Sequence, residues 1–284
     1  MNRLKSIFIS LFSMGSMVAA IHSGVKLYEL GINSAWLGAF VATAPIAFFF
    51  MRLLGIKDVA RTSANLPQLL MPAAFGSGLA LWLPPAGIWP IVYALGLGAV
   101  GSVYYVFFYS RIDRSGAKIK AGDTLPDFTL YKTQGDTQGE PLASNIIRQQ
   151  PALLLFFRGN WCPLCMAQIK EIAASYKELD KRGVKVYLVS PQTEKQSRSL
   201  AKQFDAPMEF MMDKDLQVAK QLGLMHESGT PAGMVGYDSD TVMPTAILTD
   251  NNGTVIFADL TDNYRVRPEP QTFINMLDQH GVAS

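Results

Sequence analysis

Two cysteines occur in the 284 residues, Cys162 and Cys165, and both fall in the stretch F-F-R-G-N-W-C-P-L-C-M-A-Q-I-K-E-I, residues 156–172. Thiols three positions apart in one helical turn can exchange a pair of electrons with a disulfide. One of them, ionised, attacks a foreign sulfur, and the other resolves the mixed disulfide within the same chain. The first turn of a helix offers unpaired N–H groups and the positive end of the backbone dipole, which favour thiolate over thiol. Pro163 suits that first turn, where its missing N–H is not needed. Trp161 stands where it can shield the sulfur from water on one side. Other uses of the pair compete with redox exchange. A structural disulfide across four residues closes too small a loop to stabilise much. Zinc would need two further Cys or His ligands, and His22, His226 and His280 offer no second pair. Copper capture by the two cysteines and a distant Met or His stays open, and with it a metallochaperone or a thiol sensor. The methionines, Met211, Met212, Met225 and Met234 among them, read as core filling.

The elements around the pair alternate strand and helix. Residues 152–157, A-L-L-L-F-F, form a short apolar run of the kind buried inside a sheet, and it leads straight into the cysteines. From Cys162 a helical pattern follows: Ile169, Ile172, Ala173, Tyr176 and Leu179 share one face, Lys170, Glu171, Lys177 and Glu178 take the other, and Gly183 ends it. The spacing then predicts a strand over 184–189, a helix over 194–204, a strand over 208–212 and a helix over 216–222. Two strands over 245–248 and 255–258 are joined through Asp250-Asn251-Asn252-Gly253, a turn sequence suited to a hairpin. A helix over 269–277 closes the chain. Strand, helix, strand, then hairpin and helix is the plan of a thioredoxin fold, and C-x-x-C after a buried strand is its redox signature.

The first half has a different character. Residues 1–120 carry a net charge of +7 and residues 121–284 a net charge of −5, so the overall +2 describes neither half. The acidic half lacks clusters of basic and aromatic residues, which excludes a nucleic-acid partner, since phosphate contacts need a basic face. No Asp, Glu, Lys or Arg occurs over 6–25, 30–51 or 62–110. About 20 apolar residues cross a bilayer, so the first two runs fit one helix each and the third fits two, divided by Pro84-Pro85-Ala86-Gly87. Trp36, Trp82 and Trp89 lie near the ends of these four spans, where aromatic rings favour the headgroup region. Arg3, Lys5, Arg52, Lys57, Arg61, Arg111, Arg114, Lys118 and Lys120 fall on one side of that topology and Lys26 alone on the other. The asymmetry puts both termini, and the whole second half, in the cytoplasm. The first run, with its serines, glycines and His22, can also be read as a signal sequence ending near Ala20. Gly96, Gly98 and Gly101 of the last span read as contacts for close helix packing.

Residues 121–284 resemble the peroxiredoxin-like branch of the thioredoxin superfamily, the alkyl hydroperoxide reductase and thiol-specific antioxidant group. The pieces that carry the resemblance are A-G-D-T-L-P-D-F-T-L, F-F-R-G-N-W-C-P-L-C, V-Y-L-V-S-P-Q and M-P-T-A-I-L-T-D-N-N-G-T-V-I-F. Met243-Pro244-Thr245 matches the superfamily's cis-proline loop, which implies that Pro244 packs beside the cysteines and helps to dock a thiol or disulfide. N-Y-R-V-R-P-E-P, residues 263–270, resembles the end of such domains and makes Arg265 a candidate anion-stabilising group, with a solvated arginine as the alternative. The chain departs from the peroxiredoxin pattern P-x-x-x-[T/S]-x-x-C. Counted back from Cys165, Cys162 stands at the hydroxyl position and Arg158 at the proline; counted back from Cys162, Gly159 and Leu155 stand there.

The expectation is therefore an α-helical membrane region of about four transmembrane helices over 1–110, a linker over 111–122, and an α/β thioredoxin-like, peroxiredoxin-like domain over 123–284. Its activity is that of a thiol-disulfide oxidoreductase, multi-pass in a bacterial-type inner membrane, with the redox domain cytoplasmic. Cys162 is the nucleophile and Cys165 resolves; Trp161, Pro244 and Arg265 bind substrate. No cofactor or metal is called for. The partners are membrane lipid and a thiol or disulfide, in a protein or a small molecule, with peroxide as substrate if the same pair serves as a thiol peroxidase.

Overall fold

A computed structural model describes residues 2–135 and 137–282. The chain packs as two compact units, one formed by 2–58, 62–111 and 231–233, the other by 59–61, 112–230 and 234–282.

The first unit is helical. Helix α1 spans Asn2–Leu30, α2 spans Ala35–Gly55, α3 spans Pro67–Trp82 and α4 spans Trp89–Tyr109. Three of them, α1, α2 and α4, are long and apolar enough to cross a membrane. The third expected span is shorter: α3 has 16 residues, roughly 24 Å at 1.5 Å per residue, against a hydrocarbon core of about 30 Å. The run from 62 to 110 therefore contains two helices, as Pro84, Pro85 and Gly87 require, but only the second reaches spanning length. The closest helix approach also differs from expectation. A Cβ added to Gly38 of α2 would lie 2.2 Å from the Ala80 backbone nitrogen, and one on Gly76 of α3 would lie 2.5 Å from that of Ala42. Of the α4 glycines, Gly98 and Gly101 do sit against Ala42 and Phe12, whereas Gly96 faces open space. Small residues let two backbones touch, and here they concentrate where α2 crosses α3.

The second unit is a seven-stranded sheet in the order β2-β1-β5-β4-β3-β8-β9. The strands are β1 Thr129–Lys132, β2 Pro141–Ala143, β3 Ala152–Phe156, β4 Lys185–Ser190, β5 Glu209–Met212, β8 Thr245–Thr249 and β9 Val255–Ala258; β6 Met225–His226 and β7 Thr241–Val242 form a separate two-stranded ladder. Strand β3 is the hydrophobic run before the cysteines. It pairs parallel with β4 and antiparallel with β8, so its neighbours cover both edges and every residue of it is buried. The crossover from β3 to β4 is the cysteine helix, Pro163–Ala174, and the chain ends with helix Pro270–Gln279 after the β8–β9 hairpin. A parallel β3–β4 pair joined by a helix, then an antiparallel hairpin and a final helix, is a thioredoxin-like α/β arrangement.

The predicted strands and helices fall within one or two residues of these elements, apart from the helix over 194–204, which stops at Ala201. The long helix after the cysteines is broken at Ser175 into Pro163–Ala174 and Tyr176–Asp180. Strands β1 and β2 have no counterpart in the sequence reading, because four residues of T-L-Y-K and three of P-L-A are too short for an alternation to register. Residues 112–122 lie along the second unit, with Lys118 N–H donating to Leu222 O (2.9 Å), Gly122 N–H to Val255 O (2.8 Å) and Ile119 buried.

Candidate active site

The backbone brings the cysteines to the carboxyl end of β3 through a five-residue loop, residues 157–161. Phe157 N–H still donates to Val189 O of β4, and then the chain turns at Gly159, whose φ of +145° is rarely open to an L side chain. A Cβ there would also press on the Trp161 ring, 2.9 Å from Nε1. Asn160 pins the loop: its N–H donates to Gln192 Oε1 (3.0 Å), just before helix Glu194–Ala201, and its Nδ2 to Gln196 O (2.9 Å), within that helix. Cys162 N–H donates to Gly159 O at 3.0 Å, and Cys162 becomes the N-cap of the cysteine helix, with Pro163 at its first position. Ser, Thr, Asp or Asn usually accepts a backbone N–H at an N-cap. Here the sulfur does so: Cys165 N–H points at Cys162 Sγ, 3.4 Å away. The two cysteines are joined as a disulfide, with Cα atoms 5.3 Å apart. Cys162 is 2 % exposed and Cys165 fully buried.

One guanidinium reaches both sulfurs. Arg267 Nη1 and Nη2 lie 3.5 and 3.6 Å from Cys165 Sγ, and Nη2 lies 3.9 Å from Cys162 Sγ. The rest of the group is held by the protein, with Nη1 donating to Gln168 Oε1 (3.0 Å) on the cysteine helix and Nε to Tyr264 O (2.8 Å). Burial pushes the Arg267 guanidinium down to about 9, helped by repulsion from Arg158 and Arg114 and opposed by Tyr264 and Asp259. A cystine gives these N–H groups only weak acceptors. A thiolate on either sulfur gives them a charge-assisted bond and restores the cation's preference for its proton.

The sequence-derived site residues divide. Trp161 is partly buried beside the cysteines, with the Arg158 guanidinium carbon 4.7 Å from its ring centroid and Tyr237 edge-on at 6.5 Å. Arg158 itself is buried, and its Nη2 donates to Gly229 O. Trp161, Arg158 and Tyr237 line a pocket of about 260 Å³ together with Gln192, Thr230 and Asp238.

Pro244 is buried immediately before β8, whose first residue, Thr245, pairs with Phe156 at the end of β3. Among the described residues every peptide bond is trans, the Met243–Pro244 bond included, a point the sequence leaves open. Between β7 and β8, Met243 N–H donates to Leu224 O at 2.8 Å. Arg114 fastens this corner, with Nη2 donating to Pro244 O and Nη1 to Thr245 Oγ1, both at 2.7 Å; its own pKa is lowered by burial against the pull of Asp259 and Asp262.

Arg265 is fully buried, which corrects the reading of it as a solvated side chain, and the guanidinium bonded to the sulfurs belongs to Arg267, two residues further on. N-Y-R-V-R-P offers both arginines, and only the path of the chain between β9 and the last helix decides between them. Gln168 carried no signal beyond its place one helical turn after Cys165. Among the described residues no group of three or more His, Cys, Asp and Glu side chains is gathered for a metal ion.

Residues 121–258 match the AhpC/TSA family, a stretch that ends before Arg267. The chain is 27% identical over 163 residues to peroxiredoxin Bcp of Escherichia coli K12, covering 57% of this chain and 97% of that one. Among solved structures it is similar to peroxidoxin BcpB of Mycobacterium tuberculosis, with 19% identity, 57% of this chain and 97% of that one covered and a TM-score of 0.46. It is also similar to reduced Prx3 of Vibrio vulnificus, with 20% identity, 57% and 98% covered and a TM-score of 0.48. The second unit is thus peroxiredoxin-like, similar to the AhpC/TSA family over residues 121–258, and the chain that carries it is an oxidoreductase acting on thiols and disulfides or on peroxide.

Proposed function

We propose that the protein is a membrane-anchored thiol-disulfide oxidoreductase in which Cys162 attacks and Cys165 resolves. The observation that carries this reading is the placing of both sulfurs at one helix N-terminus under a single buried guanidinium. A Cys162 thiolate there gains the Cys165 N–H, the positive end of the helix and Arg267. It attacks a substrate disulfide, forming a mixed disulfide and releasing one substrate thiolate. Cys165, bonded twice by Arg267, then ionises and attacks Cys162 Sγ, which releases the second substrate thiolate and leaves the Cys162–Cys165 disulfide. The pair has lost two electrons and the substrate disulfide has gained them. The pocket lined by Trp161, the residue before Cys162 in the chain, supports docking of a substrate on that side of the loop.

A second reading is favoured by the peroxiredoxin relatives and by the fork of Arg267 on Cys165. Attack of the Cys165 thiolate on a peroxide, with one proton taken up, yields a sulfenic acid and an alcohol or water. Cys162 then displaces water from that sulfenic acid to give the same disulfide. Steady-state assays of the full chain in detergent, with a peptide disulfide and with hydrogen peroxide, separate the two. The leading reading predicts a kcat/KM for the disulfide at least about tenfold above that of either single-cysteine variant. Turnover of peroxide alone would transfer the function to the second reading.

The same proposal puts the redox centre in the cytoplasm of a cell with a bacterial-type inner membrane, on the strength of three long apolar helices and of the Lys/Arg asymmetry along the first 120 residues. In this topology α3 crosses as well, completed by its flanks. A membrane-impermeant thiol reagent added to intact, reductant-treated cells is expected to leave both cysteines unlabelled and to label them after lysis. Labelling of Cys162 before lysis would reverse the orientation.

A further inference from the structure

Arg61 was legible in the sequence only as one more positive charge between two hydrophobic runs. Residues 59–61 pack as part of the second unit, and the Arg61 side chain is used there in full. Its Nε donates to the backbone oxygen of Arg267 at 3.1 Å and its Nη2 to that of Pro268 at 3.4 Å. Its Nη1 donates to Glu171 Oε1 at 3.3 Å, Nη2 pairs with the other Glu171 oxygen, and Nη1 stands 3.6 Å from Glu269 Oε1.

These partners belong to the two pieces of chain whose separation fixes the site. Glu171 lies on the cysteine helix, whose first turn carries both sulfurs. Arg267 lies in the stretch between β9 and helix Pro270–Gln279, outside any strand or helix. Its guanidinium is buried close to two other arginines, Arg158 and Arg114, whose charges repel it. Without a fixed backbone at 267 and 268, that repulsion favours withdrawal of the cation from the sulfurs. We propose that Arg61 is a positioning residue for the redox centre, clamping the 267–268 backbone to the cysteine helix and so holding the Arg267 guanidinium over Cys165 and Cys162. The proposal rests on the reading that Arg267 stabilises the thiolate formed there.

The Arg61, Glu171 and Glu269 side chains are 25 %, 35 % and 64 % exposed, and ion pairs in that setting add little to global stability. The effect of Arg61 therefore belongs in the chemistry of the thiols more than in folding. The test is ultraviolet titration of the thiolate in the reduced full-length protein, on the natural sequence and on Arg61→Gln, Arg61→Lys, Arg267→Gln and the Arg61→Gln/Arg267→Gln double variant. Arg61→Gln should raise the lower thiol pKa by roughly half a unit, about a threefold loss of thiolate at a pH below it. Arg61→Lys should recover part of that loss, because an ammonium can still bond both carbonyl oxygens. The double variant should titrate like Arg267→Gln alone, since the clamp has nothing left to position. A shift in Arg267→Gln with none in Arg61→Gln overturns the clamp and leaves the role of Arg267 standing. Absence of a shift in Arg267→Gln overturns both. If Arg61→Gln does not fold, Glu171→Gln, which frees the other end of the clamp, should give the same upward shift, and an unmoved pKa in it overturns the proposal.

Discussion

Replacing Cys162 by serine is expected to abolish disulfide reduction and reaction with peroxide together, by roughly a thousandfold or more, while Cys165→Ser retains one round of attack and then stops. The difference follows from position. Cys162 caps the cysteine helix, accepts the Cys165 N–H and is the less buried of the two sulfurs. Cys165 sits one turn in and fully buried, where only a neighbouring sulfur can reach it readily. A Cys162→Ser chain has lost the group that meets substrate. A Cys165→Ser chain still forms a mixed disulfide, or a sulfenic acid with peroxide, and has no second thiol to resolve it, since the chain contains two cysteines in all. Rapid-mixing experiments with excess substrate should therefore show a burst of one equivalent per chain for Cys165→Ser and no burst for Cys162→Ser.

The second large effect concerns Arg267. Its guanidinium is held down to about 9 while the sulfurs are joined, and a new thiolate 3.5 Å away draws its pKa back up. Below pH 9 the cation is already protonated in the oxidised protein, so reduction to one thiolate and one thiol takes up one proton. Above pH 9 the oxidised protein holds a neutral Arg267, and reduction takes up a second proton at the guanidinium. A two-electron couple moves by about 30 mV per pH unit for each proton, so the slope of the midpoint potential should steepen from about 30 to about 60 mV per unit as pH rises through 9. Arg267→Gln should lack the break. It should also raise the lower thiol pKa by about one to two units and slow attack near neutral pH by roughly ten- to a hundredfold. Thiol-disulfide redox titration from about pH 7 to about pH 11, roughly two units either side of the Arg267 pKa, measures the slope directly.

Much of the redox unit was legible because its signals are local. The run A-L-L-L-F-F can only be a buried strand beside a C-x-x-C helix start, and Asp250 to Gly253 can only be a turn, so β3, the cysteine helix and the β8–β9 hairpin follow from short stretches read in isolation. What escaped depends on contacts between distant stretches. Arg265 and Arg267 are equivalent in sequence until the chain has been routed past the sulfurs. Arg61 looks like a membrane-flanking charge until residues 59–61 are seen packed 110 positions away against Glu171. The M-P-T motif marks the place of Pro244 before β8 but not the geometry of its peptide bond, which is trans. The helical half was legible in outline, since the absence of charge over 6–25, 30–51 and 62–110 marks the helices, but charge alone did not reveal that α3 ends after 16 residues.

The assignment of roles to the two cysteines is tested most directly by mass spectrometry of each single-cysteine variant of the full-length protein after one equivalent of oxidant, with a peptide disulfide in one arm and hydrogen peroxide in the other. The account predicts an adduct on Cys162 in the Cys165→Ser protein and none on Cys165 in the Cys162→Ser protein. An adduct on Cys165 in the Cys162→Ser protein, with Cys162 unmodified in the other, would contradict it.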